Sequence, residues 1–144
     1  MRAVAIISAG EIELIDLPDP TPGNSEVVVE VAAVGICGTD LHIFEGEFAP
    51  KLPIVPGHEM SGTVVAVGKS VTEVKIGDAV AIDPSLHCGE CFYCRRARGN
   101  LCENWNALGV TYPGAAAQFL LSPKKNIHKL PKNVDLKSAA LIEP

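Results

Sequence analysis

Apolar residues in this chain come in short runs that alternate with polar ones or stop at a glycine or proline. Residues 3–7 form the first run and residues 12–17 the second, with Gly10 between them, a pattern that predicts a hairpin. Pro18, Pro20, Pro22 and Gly23 then break regular structure. Residues 27–34 read as the strongest strand, rich in valine. Further strands are predicted over residues 62–67, stopped by Gly68, and over 79–82, after the turn-like Lys75-Ile76-Gly77-Asp78. Two late strands follow, over residues 117–121 and 127–130. Helices are expected to be few and short: residues 39–44, residues 91–98 and residues 137–141. Many short strands punctuated by 13 glycines and 11 prolines predict a mainly β fold, a barrel or sandwich. No Gly-x-Gly-x-x-Gly follows a strand and no βαβ alternation is visible, so the pattern holds no dinucleotide-binding fold.

Composition narrows the setting. The 144 residues suit one domain with a real core, and 47% hydrophobic residues argue against disorder. The apolar runs fall far short of the roughly 20 residues of a membrane span. The opening MRAVAIIS lacks the cleavage site of a signal peptide, so a cytoplasmic protein without a membrane partner is expected. A net charge of −5 argues against a nucleic-acid partner. The one basic cluster, Arg95, Arg96 and Arg98, reads as a solvated loop face.

Five cysteines are an odd number, which argues against a disulfide framework in a reducing compartment. Four of them fall in one loop, Cys88-x2-Cys91-x2-Cys94-x7-Cys102. Such spacings let four sulfurs close on one point, and four thiolates make a closed tetrahedral zinc site that holds structure. Disulfides across the tight x2 spacings are the poorer alternative. His87 is expected to be an exposed loop histidine. By itself this loop implies a metal and no enzyme activity.

The fifth cysteine, Cys37, directly follows the strongest strand. Taken alone it reads as a small buried thiol. About twenty residues on stand His58 and Glu59, which singly read as a satisfied structural histidine and a solvated carboxylate. Together, cysteine, histidine and glutamate make a plausible three-ligand zinc set with one position open.

Gly35-Ile36-Cys37-Gly38-Thr39-Asp40-Leu41-His42, then Pro56-Gly57-His58-Glu59, then Ile76-Gly77-Asp78-Ala79-Val80, then the cysteine loop, resemble the zinc-containing medium-chain dehydrogenases over nearly the whole chain. The polyol, butanediol and threonine dehydrogenase branches are nearest in pattern. They share Glu59 directly after the histidine, and the pair Glu143 and Pro144. The resemblance implies that residues 1–144 are a GroES-like catalytic domain, a partly open β-barrel with few short helices and a zinc-binding cysteine loop. It implies a Rossmann domain after residue 144, and a later segment that returns to complete this one, leaving a partly exposed edge here.

The resemblance also implies roles. Two Zn2+ sites are expected: a catalytic one held by Cys37, His58 and Glu59, with Glu143 as fourth ligand or as holder of a water, and a structural one at Cys88, Cys91, Cys94 and Cys102. Thr39 would pass on the substrate proton and His42 would carry it outward. The reaction implied is oxidation of a secondary or primary alcohol or polyol, by hydride transfer to NAD or NADP bound in the further domain. The whole enzyme is expected to be a homo-oligomer and the isolated domain inert. Thr39 is also expected to cap the short helix it opens. Asp40 reads as a first-turn acid that can reach a ligand histidine. Ile43, Phe44, Phe48 and Phe119 are divided between cleft and core, with core favoured. Residues 114–119 depart from the family's usual glycine and Glu-Tyr pattern, and His128 reads as a surface residue. The competing readings are a non-catalytic zinc-stabilised interaction module, a zinc-free quinone-reductase-like relative, and a nucleic-acid-binding zinc module. Cys37 with His58 and Glu59 argues against them, because a purely structural module has no use for an open ligand set.

Overall fold

The computed structural model describes residues 1–48 and 50–144. The first two apolar runs pair as a hairpin, β1 (Arg2–Ser8) with β2 (Glu11–Asp16), turned at Gly10. The strongest run becomes β3 (Glu26–Val34), and the next two become β4 (Met60–Val67) and β5 (Ala79–Ile82). Two-residue strands β6 (Ser85–Leu86) and β7 (Asn106–Ala107) pair with each other at the base of the cysteine loop. These two are too short to leave a sequence pattern. β8 (Phe119–Pro123) and β9 (Ile127–Lys129) complete an antiparallel five-stranded sheet in the order β8-β3-β4-β5-β9.

β8 and β9 lie on opposite edges of that sheet, yet only Lys124–Asn126 separates them in the chain. The sheet must therefore curl until its edges approach, which makes it a partly open barrel. Two register shifts in the β3–β4 pair, at Val28/Val29 and Val31/Ala33, add the local twist that curling needs. Buried Asn126 stands at the junction, where its side-chain amide donates to the carbonyls of Asp83 and Ser85 at 2.7 and 2.9 Å. Val27, Val29, Met60, Val64, Val80, Ile82, Leu120 and Ile127 fill the interior. Each such side chain contributes about 1.5–3 kcal/mol by leaving water. A second cluster of Ile6, Ile43, Ile54, Ala107 and Val110, with Phe44 against it, seats helix α1 (Gly38–Glu45) on the hairpin.

The late strand begins at Phe119, two residues later than the pattern predicts, because Ala117 bridges to Ala3 of β1 instead. The helix expected over residues 91–98 is reduced to two single 3-10 turns, Cys94–Arg96 and Gly99–Leu101. The last helix, α2 (Leu136–Ala139), is capped by Asp135, which accepts the Ser138 N–H at 2.9 Å. It lies on the barrel through the Ser61 hydroxyl, which donates to the Leu136 carbonyl. Ile43 and Phe44 go to the core as expected, Phe119 is half-buried in β8, and His128 is exposed. An apolar groove of about 400 Å³ runs beside α1 past Ile12, Ile36 and Leu41. Among the described residues no helix is long and apolar enough to cross a membrane.

Candidate metal centres

The four-cysteine group forms within one loop. Sγ atoms of Cys88, Cys91, Cys94 and Cys102 all lie within 4.8 Å of one another, and none is in a disulfide. Backbone N–H groups turn inward onto them. Cys91 N–H points at Cys88 Sγ at 3.4 Å, Cys94 N–H at Cys91 Sγ at 3.5 Å, and Cys88 and Asn104 N–H at Cys102 Sγ at 3.3 Å. Such donors favour thiolates. The N–H of Cys94, joined by that of Glu103, lowers the Cys91 thiol to about 6, and the N–H groups of Glu90 and Cys91 lower Cys88. Partial burial instead pushes Cys94 up to about 12. Four sulfurs this close cannot all ionise without a cation among them, so the donor set fits a divalent soft metal.

His87 stays outside the group. It is half-buried rather than exposed, with its ring against Gly99 and its carbonyl accepting from Lys125 Nζ at 2.8 Å. Arg95, Arg96 and Arg98 are exposed, and Arg96 lies over the Phe92 ring at 3.7 Å.

The second group is assembled across the fold. β3 ends at Val34, and the Gly35 N–H extends the ladder by donating to the Glu59 carbonyl at 2.7 Å. This pairing sets the end of β3 beside the start of β4, so Cys37 meets His58 and Glu59. One ligand atom of each lies within 4.8 Å of the other two. Asp40 fastens the two segments together. One carboxylate oxygen accepts the Cys37 N–H at 2.9 Å and the other the Gly57 N–H at 3.2 Å. The N-cap of α1 is therefore Cys37, in a capping box with Asp40, and Thr39 lies inside the helix.

Two single-residue readings fail here. His58 is buried, and its Nδ1 finds no hydrogen-bond partner among the described residues, standing 3.7 Å from Asp40 Oδ1. It is thus not a satisfied structural histidine. Glu59 is only 8% exposed, so it is not a solvated carboxylate, and Cys37 is half-buried rather than buried. A buried carboxylate, a buried imidazole with an orphan nitrogen and a thiol are costly together unless a cation joins them. The residues fit the zinc that the motif implies.

A cleft of about 530 Å³ opens over this group, lined by His58, Thr39, His42 and Phe48 among others. The Thr39 hydroxyl lies 3.7 Å from Cys37 Sγ. His42 Nδ1 meets Glu47 Oε2 at 2.6 Å, both exposed. Glu143 lies on the cleft wall, outside the convergent three. Trp105 and Glu47 line the cleft without having been singled out in the sequence. Trp105 belongs to the end of the cysteine loop, where its N–H donates to the Cys102 carbonyl at 3.2 Å. Only the Cys37-x-x-Asp40 capping spacing could have pointed to Asp40 as the clasp.

The family model for the alcohol dehydrogenase GroES-like domain matches residues 23–132, and the chain belongs to that family. L-threonine 3-dehydrogenase of Saccharopolyspora erythraea is 45% identical over 149 residues, covering 100% of this chain and 43% of that protein. Among solved structures, galactitol-1-phosphate dehydrogenase from Escherichia coli superposes with a TM-score of 0.95 at 32% identity, covering 99% of this chain and 42% of that one. A cobalt- and zinc-bound thermostable alcohol dehydrogenase from Pyrobaculum aerophilum gives 0.90 at 31% identity, covering 99% and 44%. The chain thus spans about two-fifths of the length of the relatives it matches.

Proposed function

We propose that residues 1–144 are the catalytic domain of a zinc-dependent alcohol or polyol dehydrogenase, working with a Rossmann domain that binds NAD or NADP. The observation that carries this is the convergence of Cys37, His58 and Glu59 beside a cleft, with a buried histidine nitrogen left unpaired. Zinc held by these three supplies a Lewis acid that eases loss of an alcohol's hydroxyl proton. The nicotinamide supplies the hydride acceptor.

The chain's own residues do the rest. Asp40 holds Cys37 and the segment before His58 in one place. Thr39 receives the proton through its hydroxyl, and His42 hands it to solvent from the exposed side of the cleft. Glu143, on the opposite wall, holds a water or completes the ligand set. Phe48, Trp105 and Val110 give the carbon chain an apolar surface and exclude water from it.

The cleft also bears on substrate class. Its charged lining residues, among those described, are the carboxylates Glu47 and Glu143, with no lysine or arginine. Two carboxylates repel a phosphate ester, so an uncharged alcohol or polyol fits better than the sugar phosphate named for the Escherichia coli relative. The whole enzyme is read as cytoplasmic, in keeping with five free thiols, and as a homo-oligomer.

Metal content tests the reading first. After exhaustive dialysis, wild-type chain should retain about two tight zinc equivalents and Cys37→Ser about one. One equivalent in both would empty the catalytic assignment and favour a structural module. The chain alone should not reduce NAD with simple polyols; steady turnover by it would overturn the division of labour between domains.

A further inference from the structure

The turn that ends α1 gathers a third set of donors, separate from both centres above. His42 and Glu45 lie three residues apart, on one face of the helix. Gly46 then takes the left-handed conformation at φ 79, which lets the chain double back. The N–H groups of Glu47 and Phe48 both donate to the His42 carbonyl, at 2.9 and 3.1 Å. This fold-back delivers the Glu47 carboxylate to His42. One ligand atom from each of His42, Glu45 and Glu47 lies within 4.8 Å of the other two, and all three residues are exposed.

The turn is held in place. Gly10 N–H donates to the Phe44 carbonyl at 2.6 Å, and a Cβ on Gly46 would meet that of Ala9 at 2.9 Å. The hairpin turn therefore backs the site, so its donors are spaced by packed backbone rather than by free side chains. One imidazole and two carboxylates suit zinc, cobalt or manganese, and leave coordination positions for water. Such a site binds far less tightly than four thiolates. His42 and Glu47 also line the cleft.

We infer that His42, Glu45 and Glu47 form a third divalent-cation site, reversible and open to solvent, at the mouth of the cleft. A cation there takes up the imidazole that the proposed function assigns to proton exit. On that reading, excess divalent metal inhibits the enzyme.

The binding itself is tested without activity. Chain carrying its tight zinc is dialysed and titrated with Zn2+, and separately with Co2+, by calorimetry and by the cobalt absorption spectrum. One further, weaker equivalent is expected. Glu45→Gln or Glu47→Gln should weaken it by about tenfold or more, and His42→Ala should abolish it. Cys37→Ser should lose a tight equivalent and keep the weak one, so failure of the catalytic assignment leaves this site standing. No weak equivalent, or one unchanged in all three rim variants, overturns the site. In the full-length enzyme, Glu45→Gln should turn over normally in low metal and resist inhibition by added zinc by about tenfold relative to wild type. Equal inhibition of both would overturn the regulatory consequence.

Discussion

The two metal centres are built in opposite ways. The cysteine loop draws all its donors from residues 88–102 and aligns them with backbone N–H groups of the same loop. Its only dependence on the barrel is the short β6–β7 pairing at its base. The cleft centre takes Cys37 from beyond one strand and His58 and Glu59 from before another, and it exists only because β3 and β4 pair in register. The loop is a local solution to holding a metal, in which the metal replaces a hydrophobic core. At the cleft the fold itself does the positioning. Its donors stand ready, one of them with an unpaired buried nitrogen. Metal at the loop should therefore stabilise the fold, whereas metal at the cleft should serve chemistry at modest cost to folding if removed.

The largest expected effect tests that division. Cys91→Ser removes a ligand on which the loop's order depends and should cost about 3 kcal/mol or more, because structural zinc contributes folding free energy outright. In a domain of this size that lowers Tm by on the order of 10 °C. Cys37→Ser should cost less than about 1 kcal/mol, since Asp40 binds the backbone N–H at that position and not the sulfur. Equal losses of Tm in the two variants would erase the contrast.

Gly35→Ala should do the reverse. A Cβ at Gly35 would overlap the Glu59 carboxylate, and no flexible neighbour can yield without moving a ligand. The expected outcome is loss of the cleft's tight metal, with the four-cysteine zinc intact and stability lowered by about 1–3 kcal/mol. Unaltered metal content, or loss of both metals together, would show that the two centres are not independent in this way.

Asp40→Ala comes next. It removes a helix cap and leaves the buried Cys37 and Gly57 N–H groups without their acceptor, for a cost of about 2 kcal/mol. Weakened metal at the cleft should accompany it, because the clasp between α1 and the segment before β4 is gone. Asp40→Asn keeps one acceptor oxygen and should lie between the two. If Asp40→Ala holds cleft metal as wild type does, the clasp reading fails.

This contrast also explains what could be read from the residues alone. Short valine-rich runs between glycines and prolines mark the strands, because a β-period and its stops are local features. The cysteine loop is legible for the same reason. Its donors are neighbours in the chain, and their spacing alone closes a tetrahedron. The cleft is legible only through the family motif. Singly, Cys37, His58 and Glu59 each read as ordinary residues, and it is the β3–β4 register that makes them a site. Asp40 looks like a routine first-turn acid until Gly57 is seen to donate to it. Trp105 carries no periodic signal, since it reaches the cleft wall from the end of an irregular loop. The N-cap is misplaced for a related reason: Thr39 is the expected capping residue by type, but the Cys37–Asp40 exchange wins because Asp40 must also hold the next segment.

The smallest effect concerns protons, and it separates the loop's own sulfurs. Cys94 is pushed up to about 12, so at neutral pH it carries a proton that zinc must displace. Cys91 is lowered to about 6, so above that pH it is already a thiolate and gives up nothing. Zinc affinity at the loop should therefore fall about tenfold per pH unit on account of Cys94 across the whole range. Below about pH 6 the slope should steepen, as Cys91 also takes up a proton that the metal must remove. Competition against a chromophoric chelator from pH 8 to about pH 5 would resolve the break, with Cys37→Ser used so that only the loop is read. A slope constant through pH 6 would mean that the N–H groups of Cys94 and Glu103 do not poise Cys91 as the geometry implies. The loop would then hold four equivalent thiols, and its preorganisation for metal would come from spacing alone.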